Sequence, residues 1–109
     1  MAKLTIEPDP YFDEMVWWRV DGRRVTIGLR RDFVKEHEPT FIELAPVGST
    51  TRRGEGFALG QFRKGREAEI PSPVTGKIAA INKAVHAKDN PQLVLSDPEG
   101  EGWLVVIEA

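Results

Sequence analysis

Lys64 stands at the tip of a predicted hairpin, in Gln61-Phe62-Arg63-Lys64-Gly65-Arg66, shortly before a Ser72-Pro73-Val74-Thr75-Gly76 turn. A lysine projected from a turn suits a chain that carries an attached group, because a presented primary amine can be acylated without any catalytic machinery of its own. The other side chains support little chemistry. The two histidines, His37 and His86, fall in no metal-ligand spacing, and His37-Glu38 before Pro39 is better explained as a helix end. No GxSxG elbow, Walker loop or GxGxxG pattern occurs, and the spacing of Gly54, Gly56 and Gly60 fits turn and strand geometry rather than phosphate binding. Trp17, Trp18 and Trp103 are expected as core and rim residues of a small domain rather than as a stacking platform. The chain has no cysteine, hence no disulfide framework, no thiolate nucleophile and no thiolate metal site. Any redox chemistry must come from an attached group. No catalytic or metal-binding residue is assigned, and a self-sufficient enzyme is not expected.

The elements that must position Lys64 are short strands separated by Gly, Pro and Asp. Residues Met15 to Val20 and Arg23 to Leu29 flank Asp21-Gly22, which predicts a hairpin whose Asp-Gly pair supplies the positive φ angles of a tight turn. Asp32 to Glu38 predicts a short helix, capped by Asp32 and stopped at Pro39. Phe41 to Leu44 is a predicted strand closed by Pro46-Val47-Gly48, and a turn is expected at Arg53 to Gly56. Phe57 to Phe62 and Glu67 to Ile70 form the arms of the Lys64 hairpin. Lys77 to Asn82 follows as a strand, then a loop or single helical turn around Asn90 to Val94. Trp103 to Ile107 closes the chain as a strand whose unbroken apolar run suggests burial on both faces. Short strands at such spacing imply a β-sandwich or barrel-like fold.

With 109 residues, 40% of them apolar and 29% charged, the chain suits one domain over residues 1–109 with a single core. No stretch approaches the roughly 20 apolar residues that span a bilayer, and the first residues lack a long apolar signal region. Membrane insertion is not expected, and cytoplasm is the expected compartment. The net charge is -2, unevenly spread: Arg19 to Arg66 holds 11 Lys and Arg against 6 Asp and Glu. The basic doublets Arg23-Arg24, Arg30-Arg31, Arg52-Arg53 and Arg63-Lys64 fit solvated turns first and docking to an acidic protein surface second. Nucleic acid is not an expected partner, since the overall charge is negative and aromatic residues do not alternate with the basic ones.

Over nearly its whole length the chain resembles the H-protein family of the glycine cleavage system. The early blocks are Trp18-Arg19-Val20-Asp21-Gly22, Val25-Thr26-Ile27-Gly28, and Phe41-Ile42-Glu43-Leu44 with Pro46-Val47-Gly48. The later, more specific blocks are Ser72 to Ile78, Asn82-Lys83-Ala84, Asn90 to Val94, Asp97-Pro98 and Gly100 to Leu104. The resemblance implies a mostly β fold, a barrel-sandwich hybrid of two antiparallel sheets with one or two short helices. It also implies a lipoate group in amide linkage to a hairpin lysine, here Lys64, on a carrier that is a substrate of other enzymes rather than an enzyme. The implied partners are glycine decarboxylase, which loads an aminomethyl group, the aminomethyltransferase that takes it, dihydrolipoamide dehydrogenase, and a lipoate ligase.

The tip departs from the family pattern. Register carried forward from Gly54-Glu55 puts Lys64 on the lipoyl position, whereas register carried back from Ser72 to Gly76 puts Gly65 there, so one extra residue lies between tip and turn. Such an insertion requires a bulge, a longer loop or a change of strand register. Where the family usually has Glu-Ser-Val-Lys-Ala, this chain has Gln61-Phe62-Arg63-Lys64-Gly65, and Leu29 to Phe33 replaces a threonine-aspartate-tyrosine stretch. Two functions follow as alternatives: a lipoyl carrier in glycine cleavage or a related lipoyl-using pathway, or an H-like adaptor that binds protein partners without lipoate.

Overall fold

The structure, a computed structural model, describes residues 4–86 and 91–109. Eight strands fall into two antiparallel sheets, one of five strands in the order β1-β2-β8-β7-β4 and one of three in the order β3-β5-β6. The strands are β1 (Val16–Asp21), β2 (Arg24–Leu29), β3 (Pro39–Leu44), β4 (Thr50–Thr51), β5 (Gly56–Phe62), β6 (Arg66–Pro71), β7 (Gly76–Ile81) and β8 (Val105–Glu108). The helices are α1 (Pro10–Asp13), α2 (Arg31–His37), α3 (Lys83–His86) and α4 (Gln92–Ser96). This is the expected barrel-sandwich architecture, with more short helical segments than the one or two foreseen.

Period-two alternation explains the sandwich. Val25, Ile27 and Leu29 of β2, Ile78 of β7, and Val105 and Ile107 of β8 bury one face of the larger sheet, while Ile42, Leu44, Phe57 and Ile70 do the same for the smaller one. All belong to one buried cluster. Each fully buried aliphatic side chain there contributes about 1.5–3 kcal/mol relative to exposure. Among the described residues no helix is long and apolar enough to cross a membrane.

Several boundaries differ from the sequence expectation for local reasons. Asp21 pairs with Arg24, so it ends β1, and Gly22, at φ +63°, is the residue that places the β1–β2 loop in left-handed space. The predicted strand from Trp103 begins only at Val105, and Val106 is half-buried while Val105 and Ile107 are buried, so the apolar run is not buried equally on both faces. Trp103 instead belongs to the preceding turn, where its N–H donates to Gly100 O. Asp32 does not cap α2: the cap position is Arg30, whose side chain makes no capping bond, and the exposed N–H of Arg31 donates to Glu99 Oε2 at 2.8 Å. The stop before Pro39 is as expected, with Glu38 leaving the helix at φ +42° and its N–H bonded to Val34 O at 2.8 Å. The expected turn at Asn90 to Val94 begins outside the described residues at Asn90, and Gln92 to Val94 lie in α4.

Candidate functional site

The Lys64 hairpin is built on a ladder that is regular next to the tip. Pairs run from Ala58↔Ile70 to Phe62↔Arg66, which leaves Arg63, Lys64 and Gly65 as a three-residue tip with Lys64 in its middle. The ladder absorbs no slip between those pairs; its one irregularity lies at the far end, between Gly56 and Ala58. The hairpin thus has a three-residue tip, and its bulge lies on the β5 side at Gly56 to Ala58, before the Ser72 turn. Lys64 and Gly65 have φ of +69° and +73°, two consecutive left-handed residues as in the mirror-image turns that suit right-twisted hairpins.

The base of the hairpin is fixed from two directions. Phe62 is buried and meets Phe33 of α2 edge-on at 5.5 Å between ring centroids, with the His37 ring at 6.4 Å. Gly60 makes room for that ring, since a Cβ there would lie 2.6 Å from the end of Phe62. Arg63 then ties the tip to the end of α2. Its N–H donates to Glu38 O at 3.0 Å, and its guanidinium Nη1 donates to Glu38 Oε1 at 3.0 Å. Lys64 itself is exposed and makes no hydrogen bond or ion pair among the described residues. A small surface pocket of about 180 Å³ beside it is lined by Glu36, His37, Arg63, Lys64 and Arg66. Glu36 and His37 also border a larger groove of about 610 Å³, which Tyr11, Glu14, Arg30 and Phe33 help to line.

The far end of the hairpin is equally determined. Ser72 is fully buried, its hydroxyl donates to Val74 O and accepts from the Val74 N–H, and its backbone pairs with Gly54 and Glu55. Arg53 crosses the same turn: its N–H donates to Thr75 Oγ1 at 2.9 Å, and its guanidinium donates to Pro73 O at 2.8 Å and Glu7 O at 2.6 Å. The same guanidinium lies 4.7 Å from the centroid of the Phe12 ring. The Ser-Pro turn is thus a structural anchor for the strand that leads away from Lys64.

The remaining sequence candidates resolve individually. His37 ends α2, half-buried with its ring tilted on Phe33 at 4.4 Å, and lies beside the Lys64 pocket, whereas His86 is the last residue of α3, away in the chain from that hairpin. Trp17 Nε1 donates to Pro98 O at 2.8 Å and its ring covers Gly28, where a Cβ would come within 2.6 Å of it. Trp18 packs on the core and meets Phe12 edge-on at 6.0 Å. Trp17 and Trp18 are therefore packing residues. The basic doublets divide, one member of each being anchored: Arg23 to Ala109 O, Arg30 to Asp13 O, Arg53 as described, and Arg63 to Glu38. Sequence reasoning missed Glu38 as a partner of the tip; its place directly before Pro39, at a forced helix end, was the only signal available.

Comparison with known proteins gives a consistent set of likenesses. A family model described as Glycine cleavage H-protein matches residues 10–109. The glycine cleavage system H protein of Myxococcus xanthus is 36% identical over 99 residues, which cover 90% of this chain and 74% of that protein. That of Herpetosiphon aurantiacus is 38% identical over 95 residues, covering 86% and 71% respectively. A crystal structure of a glycine cleavage system H protein from Mycobacterium marinum is similar with a TM-score of 0.77 at 26% identity, over 90% of this chain and 80% of that one.

Proposed function

Since the chain belongs to the glycine cleavage H-protein family, we propose that it is a lipoyl carrier and that Lys64 is its attachment residue. The observation that carries this reading is the placement of Lys64: an exposed, unpartnered amine at the apex of a three-residue tip whose flanks are held by packing and hydrogen bonds. The donor chemistry fits an amide-linked group, because no carboxylate among the described residues engages Lys64 and its backbone is fixed on both sides. A flexible tip would make the acylating enzyme select one conformation from many, whereas a braced tip is already presented.

When bound, lipoate supplies the disulfide and dithiol chemistry that takes up an aminomethyl group and is afterwards re-oxidised. The protein's own residues do three things. Lys64 provides the nitrogen of the amide, Phe62 and Arg63 hold the base of the tip that bears it, and Ser72 with Arg53 fixes the strand behind it. The partners in this reading are a lipoate ligase, glycine decarboxylase, the aminomethyltransferase and dihydrolipoamide dehydrogenase. The chain serves them as a shared substrate and catalyses no step itself.

The test is intact mass after co-expression with the cognate lipoate ligase and lipoate. The expected result is a single lipoyl-sized increment that disappears in Lys64→Ala. An unmodified wild-type mass under those conditions would refute the carrier reading and favour the adaptor alternative, which the cationic residues Arg63 and Arg66 beside Lys64 also suit.

A further inference from the structure

Among the described residues only two that are not glycine have positive φ: Glu38 at +42° and Lys64 at +69°. They come from different parts of the chain, yet Arg63 joins them directly. Its backbone N–H and its guanidinium both donate to Glu38, each at 3.0 Å, and its carbonyl leads into Lys64. A left-handed residue with a Cβ costs on the order of 1–3 kcal/mol and persists only where its surroundings over-determine it. Here the surroundings are each other. Glu38 is turned out of α2 by Pro39, which brings both its carbonyl and its carboxylate to face the tip, and Arg63 uses both acceptors at once.

We propose that Glu38 and Arg63 are positioning residues for Lys64, a two-point clamp between the end of α2 and the hairpin tip that fixes the direction of the lysine for the acylating enzyme. The inference rests on the reading that Lys64 is the acylated residue. Three features favour a positioning role over simple surface pairing. The contact is double, it sits one residue from the functional amine, and it bridges to a helix whose Phe33 and His37 already pack on Phe62. β6, on the other arm, is an edge strand with no strand beyond it among the described residues, so α2 is the element that braces the tip. The guanidinium is half-exposed, with side-chain accessibilities of 54% for Arg63 and 49% for Glu38, so the effect is a matter of geometry more than of fold stability.

Acylation of the full chain by a lipoate ligase with lipoate and ATP, followed by intact mass, reads the clamp through the ligase's KM and kcat for this acceptor. Arg63→Ala and Glu38→Ala are each expected to raise KM about two- to fivefold with kcat retained. The exchanged pair Glu38→Arg with Arg63→Glu is expected to recover part of that loss. In parallel, backbone 15N relaxation at Lys64 and Gly65 is expected to show greater disorder in the single variants than in wild type. Arg63→Gln, which keeps the side-chain stem, stands in if Arg63→Ala does not fold. Unchanged KM overturns the inference, and so does a raised KM with unchanged order at the tip, because the contact would then act on the ligase alone. If wild type is never acylated the carrier reading fails, and the relaxation data still decide the clamp: unchanged order at Lys64 and Gly65 overturns it.

Discussion

Lys64 occupies a backbone conformation that disfavours any residue with a Cβ, and among the described residues its side chain makes no hydrogen bond or ion pair that offsets the cost. Stability alone would place glycine there, as it does at the next position, Gly65. Lys64→Gly is therefore expected to leave stability unchanged or raise it by up to about 1 kcal/mol, measured by urea unfolding, while removing the acyl acceptor. A loss of more than about 1 kcal/mol would show that the lysine is holding the hairpin together and would weaken its reading as a free functional amine. The same logic separates the arginines. Arg53 ties the Ser72 turn to the chain near Glu7 and stacks on Phe12, so its charge serves the fold, whereas Lys64, next to an equally basic Arg63, is left to solvent. Proximity in a basic doublet says little about role; the acceptors within reach decide it.

At the scale of elements, α2 matters most because it braces the tip, and its start is held by a residue from the other end of the chain. Arg31 N–H, left without a helical partner, donates to Glu99 Oε2, and among the described residues Asp32 one position later accepts no such bond. Glu99→Ala is expected to cost about 0.5–2 kcal/mol, as for loss of a cap, and Asp32→Ala no more than the ~0.3–1 kcal/mol of a charge in the first turn. Denaturant midpoints at constant m would check both, and a larger loss for Asp32→Ala would reverse the assignment. This pair also marks what the sequence could and could not show. The β1–β2 and β5–β6 hairpins were legible because their signals are local: alternation broken by glycine or by a charged tip. The cap of α2 was not, because its acceptor is 68 residues away in sequence. α1 was missed although Asp9-Pro10 is a local start signal, with Asp9 Oδ1 accepting from Tyr11 N–H at 2.9 Å and Pro10 opening the helix. At the hairpin, the place of Lys64 at the tip was legible from the sequence, and its contact partner Glu38 was not, since that contact exists only once α2 and β5 are packed together through Phe33 and Phe62.

For the whole molecule the question is whether the two sheets, which share no strand, behave as one body. Their inner faces merge in one cluster, and β8 lies at its centre, with Ile107 fully buried and registered against Val25 on one side and Ile78 on the other. We propose that residues 1–109 unfold as a single cooperative domain, since neither inner face can stay dry once the other leaves it. Ile107→Val is expected to cost about 0.5–1.5 kcal/mol by removing one buried methylene, which at this chain length lowers Tm by about 2–12 °C. The informative measurement compares two reporters in that variant. Trp17 and Trp18 lie in β1 and Trp103 just before β8, so tryptophan fluorescence follows the five-stranded sheet, while amide exchange across Ala58 to Phe62 follows the three-stranded one. Coincident loss of both is expected, because a mutation in one sheet must weaken the other if the core is shared. Earlier opening of Ala58 to Phe62 would mean that the hairpin bearing Lys64 is a separable unit, braced by α2 more than by the core, and the rigidity of the presented lysine would then depend on that one helix.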